Sequence, residues 1–306
     1  MSCSPPMRGI LLAVLAGLLT ACGTPGTPGS PAIPDTRAIL ASVTKDPQLN
    51  AGLPSGISQA GTLKLASNIQ SAPNNFYAAD GKTPVGYEVD LAKAIGARLG
   101  LTVQHQDMAF GSLITSLQSG RIDLTMAAMN DTRARQEQID FVDYFTSGIT
   151  IMVGKGNPEG ITGPDALCGK TVAVVQGTSH QKFAAGQSEK CAQAGKPTLT
   201  VTATDSDNQN QNQLRTQRVQ AILNDLPSAV YISRTAGDGR FFEVVPGDPI
   251  DGGPYGIGVR KQNGQLAESV RKALAGLIAD GTYTKILQAW GVERGAVGEA
   301  VLNGGR

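Results

Sequence analysis

The chain has 306 residues, enough for two domains of ordinary size with separate cores. Its 26 Lys and Arg against 25 Asp and Glu leave a net charge of +1, which excludes the strong basic field of a nucleic-acid binder. No apolar run is long enough to cross a bilayer as a mature helix, and four Cys with two scattered His offer no metal cluster; neither metal nor cofactor is expected.

In chain order, Arg8 precedes an apolar run over 10–19 that is too short to span a membrane, and Leu19-Thr20-Ala21-Cys22 follows. This is a targeting segment. Its last four residues resemble the lipobox of bacterial lipoproteins. That resemblance implies a signal peptide over 1–21, lipidation of Cys22, and an exported chain anchored on the cell membrane, facing the periplasm or the exterior. Met7 serves as a start as well as Met1. Residues 22–60 are expected to form the lipidated Cys and a flexible tether, because 23–34 are rich in Gly, Pro, Thr and Ser. A short helix is expected within 39–43. The remaining pair, Cys168 and Cys191, is expected to form a disulfide in an oxidising compartment, the alternative being two buried thiols.

A first strand is read over 63–66. Gly86 leads into a helix with Leu91, Ile95 and Leu99 spaced by four and closed by Gly100. A strand over 101–106, a helix over 110–118 and a strand over 122–128 follow. Such alternation indicates a parallel sheet. After a strand over 149–153, Gly154-Lys155-Gly156-Asn157-Pro158 breaks the chain, and the first crossing between two lobes is placed there. A second series then runs as strand 171–175, a helix opened by Gly177-Thr178-Ser179, strand 198–201, helix 207–216 and strand 219–223. The stretch 246–254 returns, a strand over 255–259 rejoins the first lobe, and Leu266, Val270, Leu274 and Ile278 mark a closing helix. The resulting division is 61–153 plus 252–306 for lobe 1 and 154–251 for lobe 2. Two passages read alike: Leu117 to Asp131 and Leu214 to Asp225 each run helix, turn, apolar strand, polar end. Ligands of open α/β sheets gather at the carboxyl ends of strands, so two similar lobes facing one cleft are expected.

The ordered motifs Gly86-Tyr87-Glu88-Val89-Asp90-Leu91-Ala92, Leu117-Gln118-Ser119-Gly120-Arg121-Ile122-Asp123, Asp140-Phe141-Val142-Asp143-Tyr144-Phe145, Gly169-Lys170-Thr171-Val172-Ala173-Val174 and Asp280-Gly281-Thr282-Tyr283 carry a family resemblance. Together the motifs, spread over 61–292, resemble the polar amino-acid family of periplasmic solute-binding proteins, the extracellular part of ABC importers. The resemblance implies an α/β, two-lobed periplasmic-binding-protein (Venus flytrap) fold with two hinge strands. It also implies a non-enzymatic monomer that closes over a free amino acid and hands it to a membrane ABC permease. Gln217 and Gln220 depart from the pattern, standing where Gly and Asp are usual, and the aromatic often found near Ser71 is missing.

The same resemblance assigns site residues. Arg135 is the carboxylate-binding arginine, with Arg133 as its rival; a guanidinium fork meets a carboxylate with two parallel bonds. Gly177, Thr178 and Ser179 open a helix whose free N–H groups make an anion site. Asp225 takes the ammonium, with the Ala128 carbonyl and the Asn130 side chain as further acceptors, and Phe110 covers the ligand. Asn68, Ser71, Asn74, Asn75 and Phe76 suggest a polar, uncharged wall. No acid falls at the ligand side-chain positions that can be placed, which favours a polar, uncharged amino acid over arginine, lysine or histidine. Glu88 and Asp90 read as acids serving a helix N-terminus, and His105 and His180 as residues without chemistry. Two alternatives stay open: a dehydratase-type enzyme on the same fold, and an amino-acid-sensing lipoprotein that does not transport.

Overall fold

The computed structural model describes residues 1–2 and 33–305; most of the targeting segment, including Cys22, lies outside the described residues. Three short helices, α1 (Arg37–Ala41), α2 (Pro47–Ala51) and α3 (Ser55–Ala60), come first. They correct the expectation of a tether reaching residue 60. Ile39, Leu40, Leu49 and Ile57 pack against the core of lobe 1, and Thr36 Oγ1 donates to the Asp90 carboxylate at 2.9 Å.

Lobe 1 continues with β1 (Thr62–Ser67), the hairpin β2 (Phe76–Tyr77) and β3 (Pro84–Val85), α4 (Tyr87–Leu99), β4 (Thr102–Asp107), α5 (Leu113–Gln118), β5 (Leu124–Thr125) and α6 (Arg133–Gln136). The 16-residue strand β6 (Ile139–Gly154) then crosses to lobe 2. There stand β7 (Thr171–Val175), α7 (Ser179–Gln193), β8 (Thr200–Thr204), α8 (Asp207–Arg215), β9 (Ala221–Asp225), α9 (Leu226–Thr235) and β10 (Phe242–Val244). The return is β11 (Ile250–Arg260), after which α10 (Gly264–Ala279) and α11 (Thr282–Ala289) cover lobe 1.

The strand order β4-β1-β5-β11-β6-β9-β7-β8 is continuous because β6 and β11 pair antiparallel along their length and serve both lobes. Strands β1, β4 and β5 are parallel in lobe 1, and β7, β8 and β9 in lobe 2. Each lobe buries its own apolar faces, α4, α10 and α11 against lobe 1 and β7, α7 and β9 within lobe 2. Ile149, Ile151 and Val153 belong to the lobe 2 core, so the chain crosses before residue 149, ahead of the glycine-rich breaker expected to mark it. Register shifts at Ile250/Gly253 and Tyr255/Gly256 fall where the paired strands pass between lobes.

The internal repeat is physical. In lobe 1 the Asp123 carboxylate accepts from Lys64 N–H at 2.9 Å, and in lobe 2 the Gln220 amide oxygen accepts from Thr171 N–H at 2.8 Å. Gln220 thus keeps the bond that an aspartate makes in the other copy. Gln217 takes the left-handed backbone, φ 58°, that Gly120 takes at 71°. A side chain there carries a steric cost that glycine avoids.

Cys168 and Cys191 are bonded, tying the segment before β7 to α7 across 23 residues. Closing a loop of that length stabilises the fold by about 3 kcal/mol in the chain-entropy model. Replacing both cysteines with alanine is expected to lower the denaturation midpoint accordingly; an unchanged midpoint would show that the bond adds no stability.

A cleft lined from both lobes

On the lobe 1 side, β5 runs out into Ala127, Ala128 and Asn130. Ala128 takes φ 47°, an unusual backbone for a side-chain-bearing residue, and its N–H is held at 2.7 Å by the Glu88 carboxylate. Glu88 is fully buried and also accepts from Asn75 and from the Tyr144 hydroxyl. Asp90 is buried too, accepting from Thr36 and, at 2.8 Å, from Trp290 Nε1. Both acids stand in the first turn of α4, as expected, but each is buried and held by these partners.

Helix α6 presents two arginines in opposite ways. Arg133 is exposed. Arg135 turns inward: Nη1 donates to Asn130 O at 2.9 Å, Nη2 donates to Gly177 O of lobe 2 at 3.2 Å, and the guanidinium carbon lies 5.4 Å from the Phe110 ring centroid. Burial draws its pKa down, while the fields of Asp225 and Asp131 hold it up. Among the described residues no carboxylate lies within ion-pair distance of it.

On the lobe 2 side, β7 ends at Val175 and the chain turns through Gly177. At φ 79° Gly177 lies against lobe 1, where a Cβ would come within 3.2 Å of Gly111 Cα. Its N–H donates to Gln181 Oε1 at 2.8 Å, so Gly177 gives the cleft its carbonyl rather than the expected N–H. Thr178 caps α7, accepting from Gln181 N–H, and Ser179 Oγ donates across the cleft to Asn130 Oδ1 at 2.7 Å. Ser71 Oγ of lobe 1 donates to Asp207 Oδ2 at 2.7 Å, another bond between lobes. The lobes are closed on one another.

The cavity between them is lined by Asn68, Ser71, Phe110, Ala127, Ala128, Asn130, Val175, Thr178, Ser179, His180, Asp207, Asn224 and Asp225. Arg135 and Gly177 border it through their bonds to each other and to Asn130. Of the residues expected to meet the ligand, Asn68, Ser71, Phe110, Ala128, Asn130, Thr178, Ser179 and Asp225 line this cavity, whereas Phe76 lines a neighbouring groove. Asn74 and Asn75 are buried, and neither lines the cavity.

Three polar lining residues were not foreseen, beside the apolar Ala127 and Val175. His180 Nε2 lies 3.2 Å from Asp225 Oδ1. Burial alone would push the imidazole pKa down, but facing Asp225, with Asp207 beyond, carries it up. Asn224 donates to Asp207 Oδ1 at 3.3 Å and accepts from Asp225 N–H. Asp207 opens α8, and burial raises its pKa. A signal for Asp207 existed: the offset of 97 residues that brings Leu117 onto Leu214 brings Phe110 onto Asp207 and Ala128 onto Asp225. Both copies thus use the same two positions.

A cation and an acid on opposing lobes, with a helix start and strand ends beside them, face one cleft in the manner of a two-lobed solute-binding protein. Residues 63–293 match the model of the bacterial extracellular solute-binding proteins, family 3, and the chain belongs to that family. A putative ABC transporter arginine-binding protein of Escherichia coli K12 is 30% identical over 79% of this chain and 96% of its own length. An ancestral arginine-binding protein solved with arginine bound is 36% identical, with a TM-score of 0.68 over 75% of this chain and 98% of that one. An ancestral amino acid-binding protein described as a precursor of cyclohexadienyl dehydratase is 28% identical, with a TM-score of 0.69 over 77% of this chain and 97% of that one. The fold is thus the two-lobed one of amino-acid-binding proteins. Among the described residues no helix is long and apolar enough to cross a membrane, and no group of three or more His, Cys, Asp or Glu is placed to hold a metal ion.

Proposed function

We infer that the chain is a lipid-anchored monomer, held through Cys22, that captures a free amino acid by closing its two lobes and delivers it to an ABC permease in the membrane. What supports this reading is that Asp225 of lobe 2 lines the cavity while Arg135 of lobe 1, bonded to Asn130 and Gly177, stands at its border. A zwitterion entering a water-poor cleft must have both charges met. Arg135 offers a planar fork to the α-carboxylate, joined by the Ser179 hydroxyl. Asp225, the Ala128 carbonyl and the Asn130 side chain offer acceptors to the ammonium. Because each lobe holds one end, ligand makes more contacts when the lobes meet, and it shifts the open–closed population toward closure.

Asp207 removes the ground on which an uncharged ligand was favoured, since it places an acid on the cavity wall. The test is a thermal-shift screen of the twenty amino acids on the signal-free chain, because a ligand that binds only the native state raises the midpoint. At least one is expected to do so; if none does, the capture reading fails. Asp207 also keeps a dehydratase reading alive, as an acid whose pKa burial raises. Recovery of the bound molecule unchanged separates binder from enzyme, and loss of uptake on deletion separates importer from sensor.

A further inference from the structure

We propose that Asp207 is the receptor for the side chain of the bound amino acid and that the cleft selects ligands carrying a long cationic side chain. The proposal rests on the cleft being an amino-acid site. It begins with an inventory of charge. If Arg135 meets the α-carboxylate and Asp225, with His180 beside it, meets the ammonium, both charges of the zwitterion have their partners. Asp207 is left over. It is 5% exposed, and among the described residues no lysine or arginine pairs with it. Its partners are the Ser71 hydroxyl and the Asn224 amide, both neutral. The positive group that acts on it is His180, which is committed at 3.2 Å to Asp225.

A buried carboxylate hydrogen-bonded only by neutral donors, with His180 committed to another acid, has lost water without gaining a direct counter-charge, which raises its energy. A guanidinium or ammonium brought in by ligand reverses that deficit. An uncharged side chain leaves it in place. Position agrees with this role. The cavity meets one outer groove at Asn130 and Ser179, near Arg135, and a second groove at Asp207, where Gln70, Tyr77 and Gln211 continue the wall. Asp207 thus stands at the end away from Asn130 and Ser179, where a side chain several bonds long arrives. The Ser71 hydroxyl, now bonded to Asp207 across the cleft, can turn to the ligand when the carboxylate takes a cation.

The experiment compares arginine with citrulline, its near-isosteric uncharged analogue, by calorimetry on the signal-free chain and on the D207N variant. A charge-assisted bond to a buried carboxylate corresponds to a preference of about 10- to 100-fold for arginine in the unaltered chain. In D207N the ratio is expected to fall to near unity. Equal binding of the two by the unaltered chain overturns the proposal while leaving the amino-acid reading standing, and this arm does not depend on whether the variant folds. A preference for arginine that persists in a folded D207N also overturns it, placing the cation elsewhere. Binding of other amino acids but of neither arginine nor lysine defeats the proposal alone. No binding of any amino acid defeats the reading beneath it as well.

Discussion

Replacing Arg135 with alanine is expected to weaken amino-acid binding by on the order of 100- to 1,000-fold, measured by calorimetry. Truncating one partner of a buried, hydrogen-bonded charge pair costs roughly 2–5 kcal/mol, because the other charge is left desolvated and alone. The ligand carboxylate is in that position, since among the described residues no other arginine lines the cavity, and Arg133, two residues away, is exposed. The fold is expected to survive. Arg135 gives up bonds to the Asn130 and Gly177 carbonyls and its stacking on Phe110, while the core beneath Phe110 keeps its packing. Loss of a few such contacts at the edge of the cleft costs about 1–2 kcal/mol. Lysine at the same position keeps the charge and loses the fork, so R135K is expected to recover only a small part of the affinity. Unaltered affinity in R135A would remove Arg135 from the site and with it the two-ended capture of the ligand.

Much of this architecture was legible because it repeats. The helix–turn–strand passage occurs twice at one offset, and each copy delivers an acceptor at a strand's carboxyl end: the Ala128 backbone in one lobe, Asp225 in the other. What escaped was local and patternless. Strand β6 was read only over its last third, because it is buried on both sides for most of its length and shows no alternation of apolar and polar residues. The hinge consequently lay earlier than the glycine-rich breaker implied. A short helix was expected within 39–43, where α1 lies, but α2 and α3 escaped because each is five or six residues long and gains its stability by docking on lobe 1. Asp207 and Glu88 escaped for a common reason. An acid at the start of a helix has a satisfying local explanation in the helix dipole, and sequence cannot tell a solvated carboxylate from one turned into a protein interior.

Glu88 is the residue whose loss is expected to cost the fold most. Its carboxylate is 1% exposed and gathers the Asn75 side chain, the Ala128 N–H and the Tyr144 hydroxyl, thereby joining the loop after β1, the strand end that lines the cleft, and β6. Alanine orphans all three donors. At roughly 1–3 kcal/mol for each buried group left unpaired, E88A is expected to lose about 4 kcal/mol of stability, read by denaturant unfolding. Affinity should fall as well, since Ala128 loses the bond that fixes its carbonyl toward the cavity. Burial raises the Glu88 pKa to about 7, against the pull of its three donors. The folded state therefore binds more protons than the unfolded chain between the ordinary carboxylate range and about 7, and the stability this confers is lost as pH rises through the folded value. Asp143, raised to about 7 by burial and then by neighbouring Asp131, acts with the same sign, as does His180. His105 opposes them, but only below its ordinary value, because burial holds it down to about 4. Above about pH 6.5 the acids are unopposed, so the thermal midpoint is expected to fall between pH 6.5 and 8, and to fall less steeply in E88Q. A midpoint that is flat or rising over that interval, or an E88A variant within 1 kcal/mol of the parent, would mean that this carboxylate is neither as dry nor as connected as its neighbours make it.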